Sequence, residues 1–459
     1  MVWTSGRLWA VAVALAALVG AGFAVLWAWA IGLQSYNVWG AMVVVPAVIW
    51  VNAILIWRVA SREPGRWLGA VMAGAFAAKM VGTLVRYYVA YVVYDGATDA
   101  ERYNLAAAFQ YRTWRQGVVT WDLSNARGTQ YMELITTAVY TVIGPTTLAG
   151  FFVFASFAFW GVYLLYRAFR VALPGGDHRR YALLVFLLPS FLYWPSSIGK
   201  ESWILLFVGV TALGAAKFFA GQRGALALLA IGAFGTGIIR PHIAVLLFAA
   251  LLTAQLFRPA SKEVTGILSK IAGLGVMVGA ASILATQSAE LLGTDDINWE
   301  SVSAALDMAG GRTTQGGSEF TPVSLSSPLG VPMAAITVLF RPFPWEAGNG
   351  QMLVQSLEGV FLLVLAVRSW PRLKRLPGIM RRNPYVMFAV VYALAFVVAF
   401  AGFANFGILA RQRVLLLPFF LVLLALPMGR EDDQPEGTEV DAREEVDHFG
   451  GFRRHSLRA

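Results

Sequence analysis

Apolar and polar positions alternate along this chain in blocks rather than residue by residue. Runs long enough to cross roughly 30 Å of hydrocarbon as helices fall at approximately 8–30, 38–57, 68–92, 147–166, 181–195, 202–220, 225–239, 241–257, 267–288, 350–367, 385–402 and 411–427. The pattern predicts an all-α polytopic membrane protein with twelve transmembrane helices. The fifth and seventh runs are short, and Pro189, Pro195 and Pro241 predict broken or kinked ends there. The first run follows Arg7 and ends in Ala28-Trp29-Ala30, in which the cleavage site of a leader peptide can also be read. Its apolar stretch is longer than a usual leader core and another run follows at once, so it is expected to be the first helix.

Two apolar segments do not fit this scheme. Tyr131 to Ile143 is flanked by loops on one side and is expected to lie along the interface as a juxtamembrane helix. Val331 to Phe340 is too short to span. Both belong to long connecting segments, 95–146 and 289–349, the second with a Gly/Ser/Thr-rich stretch from Gly310 to Ser327. Long loops on a rigid helical base are where substrate contacts concentrate. The expected organisation is one transmembrane domain over 1–428 and a charged, disordered tail over 429–459. No fixed-period repeat points to a transporter built from two halves.

Charge sorts the connections by side. One set holds 19 basic and 3 acidic residues and is assigned to the cytoplasm; the other holds 10 basic and 13 acidic and is assigned to the outside. This places both termini in the cytoplasm and the protein, multi-pass, in the plasma (inner) membrane. Basic residues on the outward side run against the positive-inside tendency and need another cause. Half of them sit in dense clusters: Lys200-Glu201, Arg240-Pro241-His242, Arg341 to Glu346, and Arg411-Gln412-Arg413.

Composition narrows the chemistry. A hydrophobic fraction of 58% with 14% charged residues excludes a soluble globular domain. The absence of cysteine removes disulfides, thiolate metal ligands and cysteine nucleophiles together, and four histidines, two of them in the tail, argue against a histidine metal cage. The net charge of +10 carries no nucleic-acid signature and fits contact with lipid headgroups and anionic ligands.

The remaining candidates are few. Asp95-Gly-Ala-Thr-Asp99-Ala-Glu-Arg102-Tyr103 follows the third run, and a helix starting near Thr98 puts Asp99 and Arg102 on one face. A carboxylate here can accept the proton of an alcohol; alternatively Asp99 caps the helix and Asp95 is a turn residue. Lys200 opens a helix whose free N–H groups already favour an anion. With Arg240, Arg341, Arg411 and Arg413 it makes a set of cations suited to a phosphate or pyrophosphate. The plainer alternative is snorkelling to lipid headgroups, with Glu201 and Glu346 as ion-pair partners. Lys79 and Arg86 lie inside the third run, where a charge costs about 2.5–3.5 kcal/mol and is expected to face the bundle interior. Glu358 is their expected partner. His242 is either an acid–base group or a hydrogen-bonded structural residue, and Asp295-Asp296 either a site for a divalent cation or a solvated acidic turn.

An ordered set of features extends over residues 67–260. Asp99-Ala-x-x-Tyr103 is followed by the juxtamembrane segment, a Gly144-Pro145 turn, and a span ending Tyr163-Leu-Leu-Tyr-Arg-Ala-Phe169. Pro189-Ser190, Trp194-Pro-Ser-Ser and Gly199-Lys-Glu follow. This resembles the GT-C superfamily of polyprenyl-phosphate-dependent membrane glycosyltransferases and related O-antigen-polymerase-like glycan polymerases. The resemblance implies a GT-C-like fold with an outward active site and a polyprenyl-linked sugar donor. The acceptor would be an envelope glycan or glycolipid, attacked in an inverting displacement. It also implies a carboxylate base in the first outer loop, which falls on Asp99 or, second, on Asp95. Many such enzymes have a tighter acidic pair in that loop, whereas these aspartates are four apart, so the base and any divalent cation stay open. The donor phosphate would meet Lys200, Arg240, Arg341, Arg411 and Arg413. Arg102, Tyr103, Glu201, His242, Trp345 and Glu346 would support the site; Trp194, Trp345 and the tyrosines at the outer end of the third run (Tyr87, Tyr88, Tyr91 and Tyr94) are candidates to stack on sugar, with an aromatic interface belt as the commoner alternative. A flippase for a lipid-linked glycan is the alternative: it needs the same cations without a base.

Overall fold

The structure, a computed structural model, describes residues 5–63, 65–119, 128–258, 275, 318–323, 325, 327 and 329–428. Among them it is helical throughout, with one isolated antiparallel bridge between Glu319 and Asn405. Five helices are long and apolar enough to cross a membrane: Tyr36–Ala60 (α2), Trp67–Val93, Thr147–Ala172 (α6), Lys200–Phe219 (α9) and Gly350–Arg368. Two bent pairs, Leu376–Arg382 with Pro384–Phe400 and Phe406–Arg413 with Leu417–Leu424, raise the number to seven if each is one span. The chain is thus a multi-pass membrane protein by length and composition.

Several expected spans take other forms. The run at 8–30 falls within α1, Ser5–Gly32. The one at 68–92 becomes α3 (Arg66–Tyr88) with a π-helical turn over Val89–Val93. The one at 181–195 is two short helices, α7 (His178–Leu187) and α8 (Pro189–Tyr193), parted at Leu188 because a proline cannot continue the hydrogen-bond ladder. The runs at 225–239 and 241–257 are helices of 13 and 16 residues, α10 (Ala225–Gly237) and α11 (Pro241–Leu256). The run at 267–288 lies outside the described residues. The two extra-membrane segments expected at 131–143 and 331–340 are the helices α5 (Gly128–Ile143) and α12 (Gly330–Phe340). Between the third span and α5 stands α4, Asp99–Arg115.

After α12 come α13 (Gly350–Arg368), α14 (Trp370–Leu373), α15 (Leu376–Arg382), α16 (Pro384–Phe400), α17 (Phe406–Arg413) and α18 (Leu417–Leu424). The core is built on α6 and α9. A side chain at Gly161 would stand 2.5 Å from the Leu205 carbonyl, and one at Gly209 would stand 2.3 Å from the Gly161 carbonyl. These paired glycines let two membrane helices touch backbone to backbone, where dispersion contacts replace the missing hydrophobic drive.

Polar pairs collect at the two ends of the bundle. At one end Arg170 meets Glu63, Arg372 meets Asp177 at 2.8 Å, and Asn383 donates to the Ala172 carbonyl at 2.7 Å. These are the connections that charge bias assigned to a single side. The opposite end gathers the first turns of α4, α6 and α9, the α10–α11 junction and the last turn of α17, and it holds the candidate site.

Candidate functional site

The third span ends in a reversal. Its π-helical turn widens the helix, and Asp95 and Gly96 then adopt φ of +47° and +76°. That left-handed conformation costs glycine nothing and is tolerated by aspartate. Thr98 takes the N-cap position of α4 without a side-chain capping bond, so Asp99 is the first helical residue and not the cap. The start of α4 is pinned elsewhere. Glu101 accepts from Tyr91 Oη at 2.6 Å and Asn104 Nδ2 at 3.1 Å, while Asn104 Oδ1 accepts from Tyr140 Oη at 2.6 Å and Thr147 Oγ1 at 3.0 Å. Tyr91, Tyr140 and Thr147 come from three other elements, so α4 is fixed in place and Asp99 with it.

The second wall is the loop before α9. Lys79, buried in α3, donates to the Phe191 carbonyl at 2.9 Å, the Pro195 carbonyl at 3.1 Å and Ser196 Oγ at 3.0 Å. Glu358 of α13 accepts from the Ser190 N–H at 2.7 Å. The expected Lys79–Glu358 pair is therefore replaced by two separate clasps. Each charge satisfies backbone groups that the helix break leaves open, the ammonium at the C-terminal end of α8 and the carboxylate at its N-terminal end. Close contact supports this arrangement: a side chain at Gly82 of α3 would stand 2.4 Å from the Leu192 carbonyl.

Between these walls lies a charged network. Glu201, with 4% of its side chain exposed, is 2.7 Å from Arg240 Nη2 and 2.7 Å from Arg411 Nε. Arg411 Nη2 is 3.0 Å from Asp99 Oδ2, and Arg240 also donates to Gln412 Oε1. A single guanidinium thus joins carboxylates from α4 and α9. Lys200 donates to Thr129 Oγ1 at 2.8 Å and lies within electrostatic range of Asp99, Arg240 and Arg411. Tyr103 is buried beside them; burial first, then the Asp99 and Glu201 carboxylates, push its phenol above the ordinary tyrosine range. The network borders a cleft of about 300 Å³ lined by Arg86, Tyr94, Thr98, Asp99, Ser197, Glu201 and Arg411, among others. Its size is at the lower end of the range of small-molecule sites.

Not every expected site residue comes here. Arg341 forms a forked ion pair with Glu346, Nε to Oε1 at 3.0 Å and to Oε2 at 3.2 Å, and its guanidinium lies 4.7 Å and 5.0 Å from the Phe320 and Phe406 rings. Glu346 also accepts from the Phe343 N–H at 2.7 Å. Arg413 is fully buried, donates to the Arg341 carbonyl and lies within electrostatic range of Glu358. Both therefore serve the packing of α12, α13 and α17 rather than the cleft. The reason is helical: Arg411 and Arg413 close α17 instead of opening the last span, and residues two apart on a helix point to different faces.

Asp95 is exposed and does not line the cleft. Arg102 pairs with Glu133 of α5 at 2.9 Å, not with Asp99. His242 is exposed, with its ring 6.4 Å from that of Phe400. Trp345 is 81% exposed and stacked on Phe343, and Trp194 is buried under the Arg86 guanidinium at 5.3 Å. Of the aromatic candidates only Tyr94 lines the cleft. Asp295 and Asp296 lie outside the described residues, and among those described no group of three or more His, Asp or Glu side chains is arranged to hold a metal. Arg86, Thr98 and Ser197 also line the cleft, and sequence reasoning does not place them at the site. Arg86 carries a signal, a charge inside an apolar run; Thr98 enters the sequence reading only as a helix start and Ser197 only within Trp194-Pro-Ser-Ser. No family model, curated protein or solved structure matches the chain.

Proposed function

We propose that this protein is an integral membrane glycosyltransferase of GT-C type, working on the outer face of the plasma membrane. It transfers a sugar or glycan from a polyprenyl-phosphate or pyrophosphate donor to an envelope glycan or glycolipid. The observation that carries this reading is the meeting of Arg411, Asp99, Glu201 and Arg240 from far apart in sequence in one charged network, of which Arg411, Asp99 and Glu201 line a cleft at the end of an apolar bundle. Cations there offer a phosphate its counter-charge, and a half-exposed carboxylate offers a base.

In the proposed reaction Asp99 takes the proton of an acceptor hydroxyl as its oxygen attacks the anomeric carbon from the face opposite the phosphate. The bond between that carbon and the phosphate oxygen breaks, and the electron pair leaves with the phosphate. Arg411, Arg240 and Lys200, with Arg86 below them, stabilise the charge that grows on the leaving group. Cations already fixed in a confined cleft do this better than water, because they need no reorganisation as the charge develops. Glu201 holds the two arginines in place. Tyr94 is assigned to contact sugar, and Arg341 and Arg413 are assigned to the scaffold.

The test is sugar transfer by the purified protein in nanodiscs from a panel of labelled polyprenyl-phosphate and pyrophosphate donors. Transfer supports the reading. Donor binding without transfer, together with movement of donor between leaflets, would replace it with lipid-linked glycan translocation.

A further inference from the structure

The two carboxylates on Arg411 are not equivalent. Glu201 is 4% exposed and held by a second guanidinium, that of Arg240. Asp99 is 56% exposed, sits on the first turn of α4, and has Arg411 as its one ion-pair partner among the described residues. They also divide a single functional edge. Nε and Nη2 are the parallel donors with which a guanidinium grips a carboxylate or phosphate two-handed. Here Asp99 accepts from Nη2, while Glu201 Oε1 lies 2.7 Å from Nε as an ion pair without hydrogen-bond geometry. The anion-binding edge of the central arginine thus faces two of the protein's own carboxylates, and the one that takes its Nη2 donor is the residue assigned to proton transfer.

We infer that Asp99 is an internal competitor for the anion site on Arg411. A ligand phosphate entering the cleft takes Nη2 from Asp99, while Glu201, itself held by Arg240, keeps the arginine in place. The exchange favours a phosphate monoester or a pyrophosphate electrostatically, because each brings more negative charge than the single carboxylate it replaces; a sugar phosphodiester exchanges one charge for one. It also releases the Asp99 carboxylate from its ion pair only when a phosphate is in place. Donor would bind first, and an acceptor hydroxyl would meet a free base only next to a loaded donor. The inference rests on the proposed function for the identity of the ligand, but its test reads binding and needs no transfer.

The experiment measures equilibrium binding of farnesyl phosphate and of inorganic phosphate to the full-length protein in nanodiscs of neutral lipid. Wild type is compared with Asp99→Asn, Asp99→Ala and Asp95→Asn. Asp99→Ala removes the carboxylate without leaving an amide oxygen that can still accept from Nη2. Asp95→Asn removes the same charge from the neighbouring turn without touching Arg411. Removing an exposed competing ion pair is expected to tighten binding roughly two- to fivefold in both Asp99 variants, with Asp95→Asn close to wild type. A gain for farnesyl phosphate alone marks a lipid-borne phosphate as the ligand; a gain for both probes marks the phosphate itself.

Equal affinity in wild type and the Asp99 variants would overturn the competitor and leave an anion site. So would an equal gain in all three variants, which would reduce the effect to net charge. Weaker binding in the Asp99 variants would overturn it in another way, making Asp99 a support for Arg411. Failure of every form to bind either probe would overturn both this inference and the phosphate-donor reading.

Discussion

The Lys79 ammonium stands 2.9 Å from the Phe191 carbonyl oxygen, across two helices and deep in the apolar bundle. Among the described residues no carboxylate pairs with it. Lys79 is 2% exposed and spends its donors on the broken segment between α8 and α9. That segment leads directly into Ser197 and Glu201 at the cleft, so the cation fixes the floor of the site from below.

Replacing it with a residue of similar length but no charge strands those acceptors. Each buried acceptor left open costs about 1–3 kcal/mol. Lys79→Met is expected to lower the thermal unfolding midpoint in detergent and to weaken phosphate binding at a cleft it does not touch. Lys79→Arg should recover the stability only in part, because a planar fork fits three converging acceptors less well than an ammonium. Wild-type phosphate affinity in Lys79→Met would dissociate the clasp from the site.

Glu201 separates two guanidinium groups that would otherwise face each other. Breaking a buried charge network by removing one partner costs about 3–5 kcal/mol. Glu201→Gln should therefore destabilise the protein far more than Asp99→Asn, whose ion pair is half exposed. The ordering of the two unfolding midpoints is the readout, and the reverse order would contradict the assignment of Glu201 as the anchor.

The arginines of the four basic clusters should divide into two classes. Arg411→Lys keeps the charge and loses the two-donor edge, so transfer is expected to fall by about 10²–10³, the size seen when one preorganised donor is lost. Arg341→Lys disturbs the clamp on Glu346 and the two phenylalanine rings, so it should lower stability while phosphate affinity stays within about twofold, as expected of a residue outside the cleft. Equal effects on binding would mean that the Arg341 cluster closes over the ligand.

Glu346 gives a pH signature for that clamp. Burial alone would raise its carboxyl, but the Arg341 hydrogen bonds, the Phe343 N–H and the Arg341 charge together hold it below the ordinary glutamate range. A carboxyl lowered in the folded state adds stability that is complete above its unfolded value, about 4.3, and is lost as pH falls through the folded value. Thermal stability should drop from about pH 5 downward, and Glu346→Gln should make that drop shallower. An unchanged slope would mean that other carboxylates carry the acid sensitivity.

Much of the bundle was legible because long apolar runs and charged connections are strong, local signals. Pro189 announced the break between α7 and α8, and the charge bias grouped the connections that meet at one end. The site was legible as residue types and less so as geometry. Asp99, Glu201, Arg240 and Arg411 stood out because charges near membrane helices need a reason. That they meet, while Arg341 and Arg413 do not join them, depends on tertiary packing: α17 ends at Arg413, and residues two apart leave it on different faces. Lys79 was expected to find Glu358, since a buried cation suggests an anion. Backbone carbonyls exposed by a broken helix served instead, and a sequence does not show which carbonyls a break will free.

Sugar transfer by wild type, Asp99→Asn and Asp95→Asn in nanodiscs, with a donor that all three bind, tests the role of Asp99 at its root. Product is expected from wild type and from Asp95→Asn, with a loss of about 10²-fold or more for Asp99→Asn and donor affinity unchanged or improved. Full transfer by Asp99→Asn would refute its role as the base, because among the described residues no other half-exposed carboxylate of the cleft is paired with Arg411.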